Sequence, residues 1–166
     1  MRSRERCHRV ASEDSLPSMR FAGTISQQRS HQIKVWLDTG ATACFAGDQL
    51  ARRLGLCLKD SSIHSVEVAD GKRQALLGSA KLHVSMGGVG NWPVVVHFLP
   101  RFLKGVDLIL GQDWMKEYGC ILNLESGTCS VKIPDGPSGE IGPRVTLAEL
   151  PCLNIIPASE YSDPLD

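Results

Sequence analysis

The residue in this sequence best placed to do chemistry is Asp38, in the run Val35-Trp36-Leu37-Asp38-Thr39-Gly40-Ala41-Thr42. An acidic side chain directly after an apolar strand and before a glycine turn is held on a rigid support with its back to the core, a setting suited to general acid–base work. Taken alone, Asp-Thr-Gly is more often a strand-end aspartate capping its own loop. The surroundings change that reading. Roughly seventy residues later, Val106-Asp107-Leu108-Ile109-Leu110-Gly111-Gln112-Asp113-Trp114 runs an apolar strand into a glycine and a helix start. Between the two, Val66-Glu67-Val68-Ala69-Asp70-Gly71-Lys72 carries an Asp-Gly pair able to form a tight hairpin turn with positive φ. Other chemistries lack their residues: no CxxC, HExxH, GxSxG or GxxxxGK spacing occurs, so metal, serine-hydrolase and phosphate-loop sites are unsupported. The six cysteines fall at irregular spacing and read as free thiols. Cys44, with no histidine nearby in sequence, reads as a structural thiol.

These residues require strands on either side of them. Met19, Phe21, Thr24 and Ile25 suggest a first strand, Ser26 to His31 a polar turn, and Ile33, Val35 and Leu37 a second strand ending at Asp38. Alternation at Leu82, Val84 and Met86, glycines at Gly87 to Gly90, and a β-branched run from Trp92 to Leu99 predict another hairpin. A third is predicted from Cys120–Leu124 and Cys129–Ile133 around the turn Glu125 to Thr128. Two short helices interrupt the strands, one with Asp48 as N-cap and Gly55 as its stop, the other capped by Asp113 and ended by Gly119. Trp36, Trp92 and Trp114 read as packing residues. The expected organisation is a disordered basic arm over 1–18, one domain over 19–133, and a linker and tail over 134–166.

The ordered set Leu37-Asp38-Thr39-Gly40-Ala41, a short helix, Val68-Ala69-Asp70-Gly71-Lys72, Asp107-Leu108-Ile109-Leu110-Gly111-Gln112-Asp113-Trp114 and Gly119-Cys120-Ile121-Leu122-Asn123-Leu124 resembles the retropepsin-like aspartic proteases. It looks closest to those of gypsy-type LTR retrotransposons. The resemblance spans about 19–133 and implies an all-β closed barrel with one or two short helices and one lobe per chain. It implies Asp38 as the catalytic aspartate, Thr39 as the hydroxyl that locks two active-site loops across a dimer axis, and Gly40 as the point where substrate backbone approaches. Ala41 and Thr42, with the flap tip Ala69, Asp70, Gly71 and Lys72, would contact substrate. Leu110 and Gly111 would form the apolar-Gly support beneath the loop.

Peptide hydrolysis by carboxylates needs two of them sharing a proton, one as base towards water and one as acid towards the carbonyl. The chain supplies one such motif, because neither Asp70-Gly71 nor Asp135-Gly136 has the strand before it or the Thr-Gly spacing of Asp38. A homodimer with Asp38 from each subunit on the twofold axis solves the count. Where retroviral members pair an acid with an arginine, this chain has Thr42 and Gln112, a neutral pair, and it continues past the strand at which those proteases end. The resemblance implies an endopeptidase that cleaves polypeptides and processes its own polyprotein, with no metal or organic cofactor. Two alternatives are a host ubiquitin-pathway protease of the same fold and a silent, domesticated dimeric binding module.

Composition agrees with a single domain. In 166 residues, 18 lysines and arginines balance 18 aspartates and glutamates, so no global field draws nucleic acid or an anionic membrane, and neither is an expected partner. Hydrophobic residues make up 42%, enough for a core, yet no apolar run approaches the ~18 residues of a membrane span. No export signal is visible, and the expected location is intracellular, in the cytoplasm or in retrotransposon particles.

Overall fold

A computed structural model describes residues 18–68, 71–135 and 140–150. The basic arm, the flap-tip residues Ala69 and Asp70, and the tail from Pro151 onward lie outside them. Six strands close a barrel in the order β1 (Ser18–Gln27), β2 (Arg29–Asp38), β8 (Leu108–Leu110), β3 (Cys44–Gly47), β7 (Val89–Leu99) and β6 (Gly78–Met86). The all-β closed barrel expected from sequence is what the chain forms, with two short helices, α1 (Asp48–Leu54) and α2 (Gln112–Glu117). β4 (Ser65–Glu67) and β5 (Arg73–Ala75) make a separate hairpin, and β9 (Ile121–Asn123), β10 (Thr128–Asp135) and β11 (Glu140–Ala148) make a three-stranded sheet in the order β11-β10-β9.

Alternation drives the hairpins. Met19, Phe21 and Ile25 on β1 and Ile33, Val35 and Leu37 on β2 point into the barrel, and the two strands pair from Ser18↔Asp38 to Gln27↔Arg29. The polar segment expected to be a turn is instead strand almost throughout, bent only at Gln28, whose φ of 58° is left-handed. β6 and β7 turn through Gly87 and Gly88, with φ of 60° and 72°, as a two-residue hairpin with positive φ at both centres demands. The end of β2 and all of β8 are buried on both faces, because Val35, Leu37, Leu108 and Leu110 join the main core while Trp36 and Ile109 join a second cluster on the other side.

Trp92 is fully buried, meets the Trp114 ring edge-on at 5.7 Å, and donates its Nε1–H to the Lys132 carbonyl (3.0 Å), tying the barrel to the three-stranded sheet. Trp36 lies on the outer face and is covered by the Arg20 guanidinium, 4.8 Å from its ring centroid. All three tryptophans pack, as their neighbours in sequence suggest.

Two helix starts differ from expectation. Gly47, extended at φ −94° and ψ 166°, precedes α1, and Asp48 is its first residue, bonded to Arg52 one turn on (2.8 Å). Gly111 likewise precedes α2, placing Asp113 inside the helix. Gly55, left-handed at φ 63°, stops α1 as expected. The expected domain end at Ile133 also fails: β11 pairs with β10 from Thr128↔Ala148 to Asp135↔Glu140 and buries Leu147. The glycine- and proline-rich linker composition masks a strand that follows it. Deleting residues 140–166 should therefore cost about 2 kcal/mol for the lost burial of Leu147 alone, which a denaturant melt of the shortened chain would read.

Among the described residues, no helix is long and apolar enough to cross a membrane.

Candidate active site

The position of Asp38 follows from β8. That strand pairs in parallel with β2 (Val35↔Leu108 to Leu37↔Leu110) and antiparallel with β3 (Phe45↔Ile109), so residues 39–43 form the bridge between two strands clamped to one neighbour. Asp38 ends β2 and is only 2% exposed. Its Oδ1 accepts the Gly40 N–H (2.7 Å), and its carbonyl accepts the Ala41 N–H (3.2 Å). The turn is thus fixed by its own first residues, as an aspartate before Thr-Gly allows. Thr39 and Gly40 stand exposed, Ala41 is fully buried, and Thr42 is half-buried. A Cβ on Gly40 would sit 3.1 Å from Asp38 Oδ1, so the glycine keeps space beside the carboxylate.

The support beneath the loop comes from the chain after β8. Leu110 is fully buried, and Gly111 fits so closely that a Cβ there would lie 2.1 Å from the Ala43 carbonyl oxygen and 2.7 Å from that of Ala41. The Gln112 N–H donates to the Ala41 carbonyl (2.8 Å), and its side-chain Nε2 donates to the Thr39 carbonyl (2.7 Å). Two carbonyls of the Asp38 loop are therefore held by one residue. Sequence reasoning marked Gln112 as a neutral replacement for a charge; the bond to main chain has no signature in sequence spacing. Asp113 Oδ1 accepts the Trp114 N–H (2.6 Å) and the Cys44 thiol (3.2 Å), joining α2 to β3. Burial pushes the Cys44 thiol well up, with the Asp113 carboxylate adding, which disfavours the nucleophilic thiolate form.

The flap-like hairpin is built on the same region. Val66 of β4 shares a buried cluster with Trp36, Ala41, Phe45, Val106 and Ile109, the residues that flank Asp38 and its supports. Below the tip, the Val68 N–H donates to the Lys72 carbonyl (2.8 Å) and the Gly71 N–H to the Val68 carbonyl (2.9 Å), with Gly71 left-handed at φ 80°. Gly71 and Lys72 are exposed. Ser61 Oγ and the buried His97 Nδ1 are hydrogen-bonded at 2.5 Å, fastening the segment before β4 to β7. His97 reads in sequence only as a break in an apolar run. Among the described residues no cluster of three or more His, Cys, Asp or Glu side chains is arranged to hold a metal ion.

Comparison with known proteins bears on the fold and the family. The retroviral protease-like domain of Ddi1 from Leishmania major has the same fold, with 18% identity, a TM-score of 0.58, and coverage of 85% of this chain and all of that one. The EIAV protease in complex with the inhibitor HBY-793 matches at 17% identity and a TM-score of 0.49, covering 69% of this chain and all of that one. A retropepsin-like aspartic protease from Rickettsia conorii matches at 17% identity and a TM-score of 0.40, covering 64% of this chain and 85% of that one. No curated protein sequence matches. Residues 24–117, more than half of the chain, match the family model described as "gag-polyprotein putative aspartyl protease", and the chain belongs to that family of retropepsin-like aspartic proteases.

Proposed function

We propose that the protein is an aspartic endopeptidase that cleaves polypeptides, among them its own retrotransposon polyprotein, through a water activated between Asp38 and Asp38 of a second copy. The observation that carries this reading is the clamped Asp38 loop: one carboxylate, bonded to Gly40 N–H and braced by Gln112, with Thr39 and Gly40 facing outward. One carboxylate of the pair takes a proton from water as the other gives one to the scissile carbonyl oxygen, and only the singly protonated pair has both capacities. Thr39 and Gly40 then lie where a second copy's loop and the substrate backbone meet. The hairpin carrying Gly71 and Lys72 closes over the peptide and excludes water.

The three-stranded sheet supports pairing. β9 lies at its edge, and Ile121 and Leu124, both 59% exposed, present apolar surface there. An open strand edge with apolar side chains is a template for another strand, and joining β9 to its copy would continue the sheet across the dimer axis.

A peptide-library digest read by mass spectrometry at two pH values tests the activity. Cleavage should be blocked by a pepstatin-like transition-state mimic and untouched by EDTA or by serine and cysteine reagents. Because two carboxyls sharing a proton titrate as a pair, kcat/KM should follow a bell with its maximum on the acidic side of neutrality. No cleavage of any library peptide at either pH would leave the silent binding module as the better description. Gln112→Ala should lower kcat about tenfold through a displaced loop while costing only about 1 kcal/mol of stability. Steady-state kinetics beside a melt separate those two effects.

A further inference from the structure

We propose that Cys120 and Cys129 are an oxidisable dithiol pair, which a peroxide converts to an intramolecular disulfide with Cys120 as attacking and Cys129 as resolving thiol. The inference rests on the arrangement of the two thiols and is independent of the peptidase reading. Their sulfurs are 3.2 Å apart in hydrogen-bond contact. Cys129, on β10 opposite Leu122, is fully buried, and Cys120, just before β9, is half-buried and so open to a small oxidant. A disulfide has a sulfur separation of about 2.05 Å, so closure asks for an approach of about 1 Å.

The surroundings assign the two roles. Arg144 Nη1 donates to the Gly119 carbonyl (2.7 Å) and the Ser130 carbonyl (3.1 Å), the residues flanking each cysteine, which brings its positive charge to the pair. The hydrogen bond with Cys129 holds the Cys120 thiol below its ordinary value, and Arg144 adds to this against the opposing effect of burial. The same bond and burial push Cys129 up. The half-exposed sulfur is thus the one that reaches the thiolate form, and the buried one keeps its proton until needed. Neither Cys44, committed to Asp113, nor the exposed Cys57 has such a partner among the described residues.

The chemistry balances with hydrogen peroxide as oxidant. The Cys120 thiolate attacks one peroxide oxygen, the O–O bond breaks, and the departing hydroxide takes a proton to become water, leaving a sulfenic acid. Cys129 sulfur then attacks Cys120 sulfur, the S–O bond breaks, and the Cys129 proton leaves with the oxygen as a second water. Two thiols are oxidised by two electrons and one peroxide is reduced to two waters. The product ties the start of the edge strand β9 to the sheet's middle strand.

The test treats the full chain with hydrogen peroxide, maps unreduced peptides by mass spectrometry, and traps sulfenic acid with dimedone. A linked Cys120–Cys129 peptide pair is expected, 2 Da lighter than the two thiol peptides. Dimedone labelling at Cys120 should rise at least tenfold in Cys129→Ser, where nothing resolves the sulfenic acid. Linkage of Cys120 to a different cysteine, or both thiols remaining free at a peroxide dose that oxidises Cys57, would overturn the proposal. So would equal dimedone labelling of wild type and variant. Should Cys129→Ser fail to fold, Cys129→Ala serves for the trapping arm, and the wild-type map stands without either.

Discussion

Asp38→Asn is expected to lower peptide cleavage by about 10⁴-fold, the upper end of what a positioned acid or base contributes, while the folded barrel persists. An amide has nearly the shape of the carboxylate, and its oxygen still accepts the Gly40 N–H that Asp38 Oδ1 accepts at 2.7 Å. What it lacks, on the proposed mechanism, is the proton shared with a second carboxylate. Because Asp38 is 2% exposed and sits at a strand end, even a small misfit would appear in a melt, so an unchanged transition identifies the loss as chemical. Mixing separates a shared site from an independent one. With a ninefold excess of variant and full subunit exchange, each wild-type subunit finds a wild-type partner about one time in ten, and its specific activity should fall accordingly. Undiminished activity per wild-type chain, with exchange shown by a label, would exclude a site built from two copies.

Gly111→Ala should be the most damaging single methyl group in the chain, costing about 3 kcal/mol, the upper end for overpacking, and removing activity with it. The added Cβ would meet the Ala43 and Ala41 carbonyl oxygens at 2.1 and 2.7 Å, and both are backbone atoms that cannot rotate away. Relief requires the Asp38 loop to lift from β8, which also breaks the Gln112 bonds to Ala41 and Thr39. Gly55→Ala offers a contrast: its Cβ meets nothing within 4 Å, and its φ of 63° makes the cost purely one of backbone strain, about 1 kcal/mol. Denaturant midpoints of the two variants, beside their activities, would show whether stability and function fail together at Gly111 and separately at Gly55.

Period-two alternation made most of the strands legible, because each hairpin strand buries every second side chain, as Met19, Phe21, Leu82 and Val84 do. The Asp38 loop was legible through type and spacing together: Asp-Thr-Gly after an apolar strand, and Leu110-Gly111 far downstream. Helix starts were misread because Asp48 and Asp113 have capping chemistry, whereas the extended glycines Gly47 and Gly111 that precede them hold the cap positions through tertiary fit. β11 was missed since Pro143 and Gly142 within it argue locally against a strand, and only pairing with β10 overrides them. Gln112's grip on Thr39 and the meeting of Cys120 with Cys129 depend on where the chain returns in space, which no local pattern encodes.

The clamp on the Asp38 loop also bears on when the site comes into being as the chain folds. The hairpins β1–β2, β6–β7 and β9–β10 join neighbours in sequence and are of the kind that forms quickly. The bond from Gln112 to Thr39 instead closes a loop of 73 residues, and the parallel pairing of β2 with β8 spans the same interval. Closing such a loop must offset an entropy that grows with its length before any contact rewards it. A chain that has formed only its hairpins therefore carries the Asp-Thr-Gly motif with no clamp beneath it. The braced carboxylate arrives with the closing of the whole barrel, so a partly folded chain has the sequence of the site and at most its local turn.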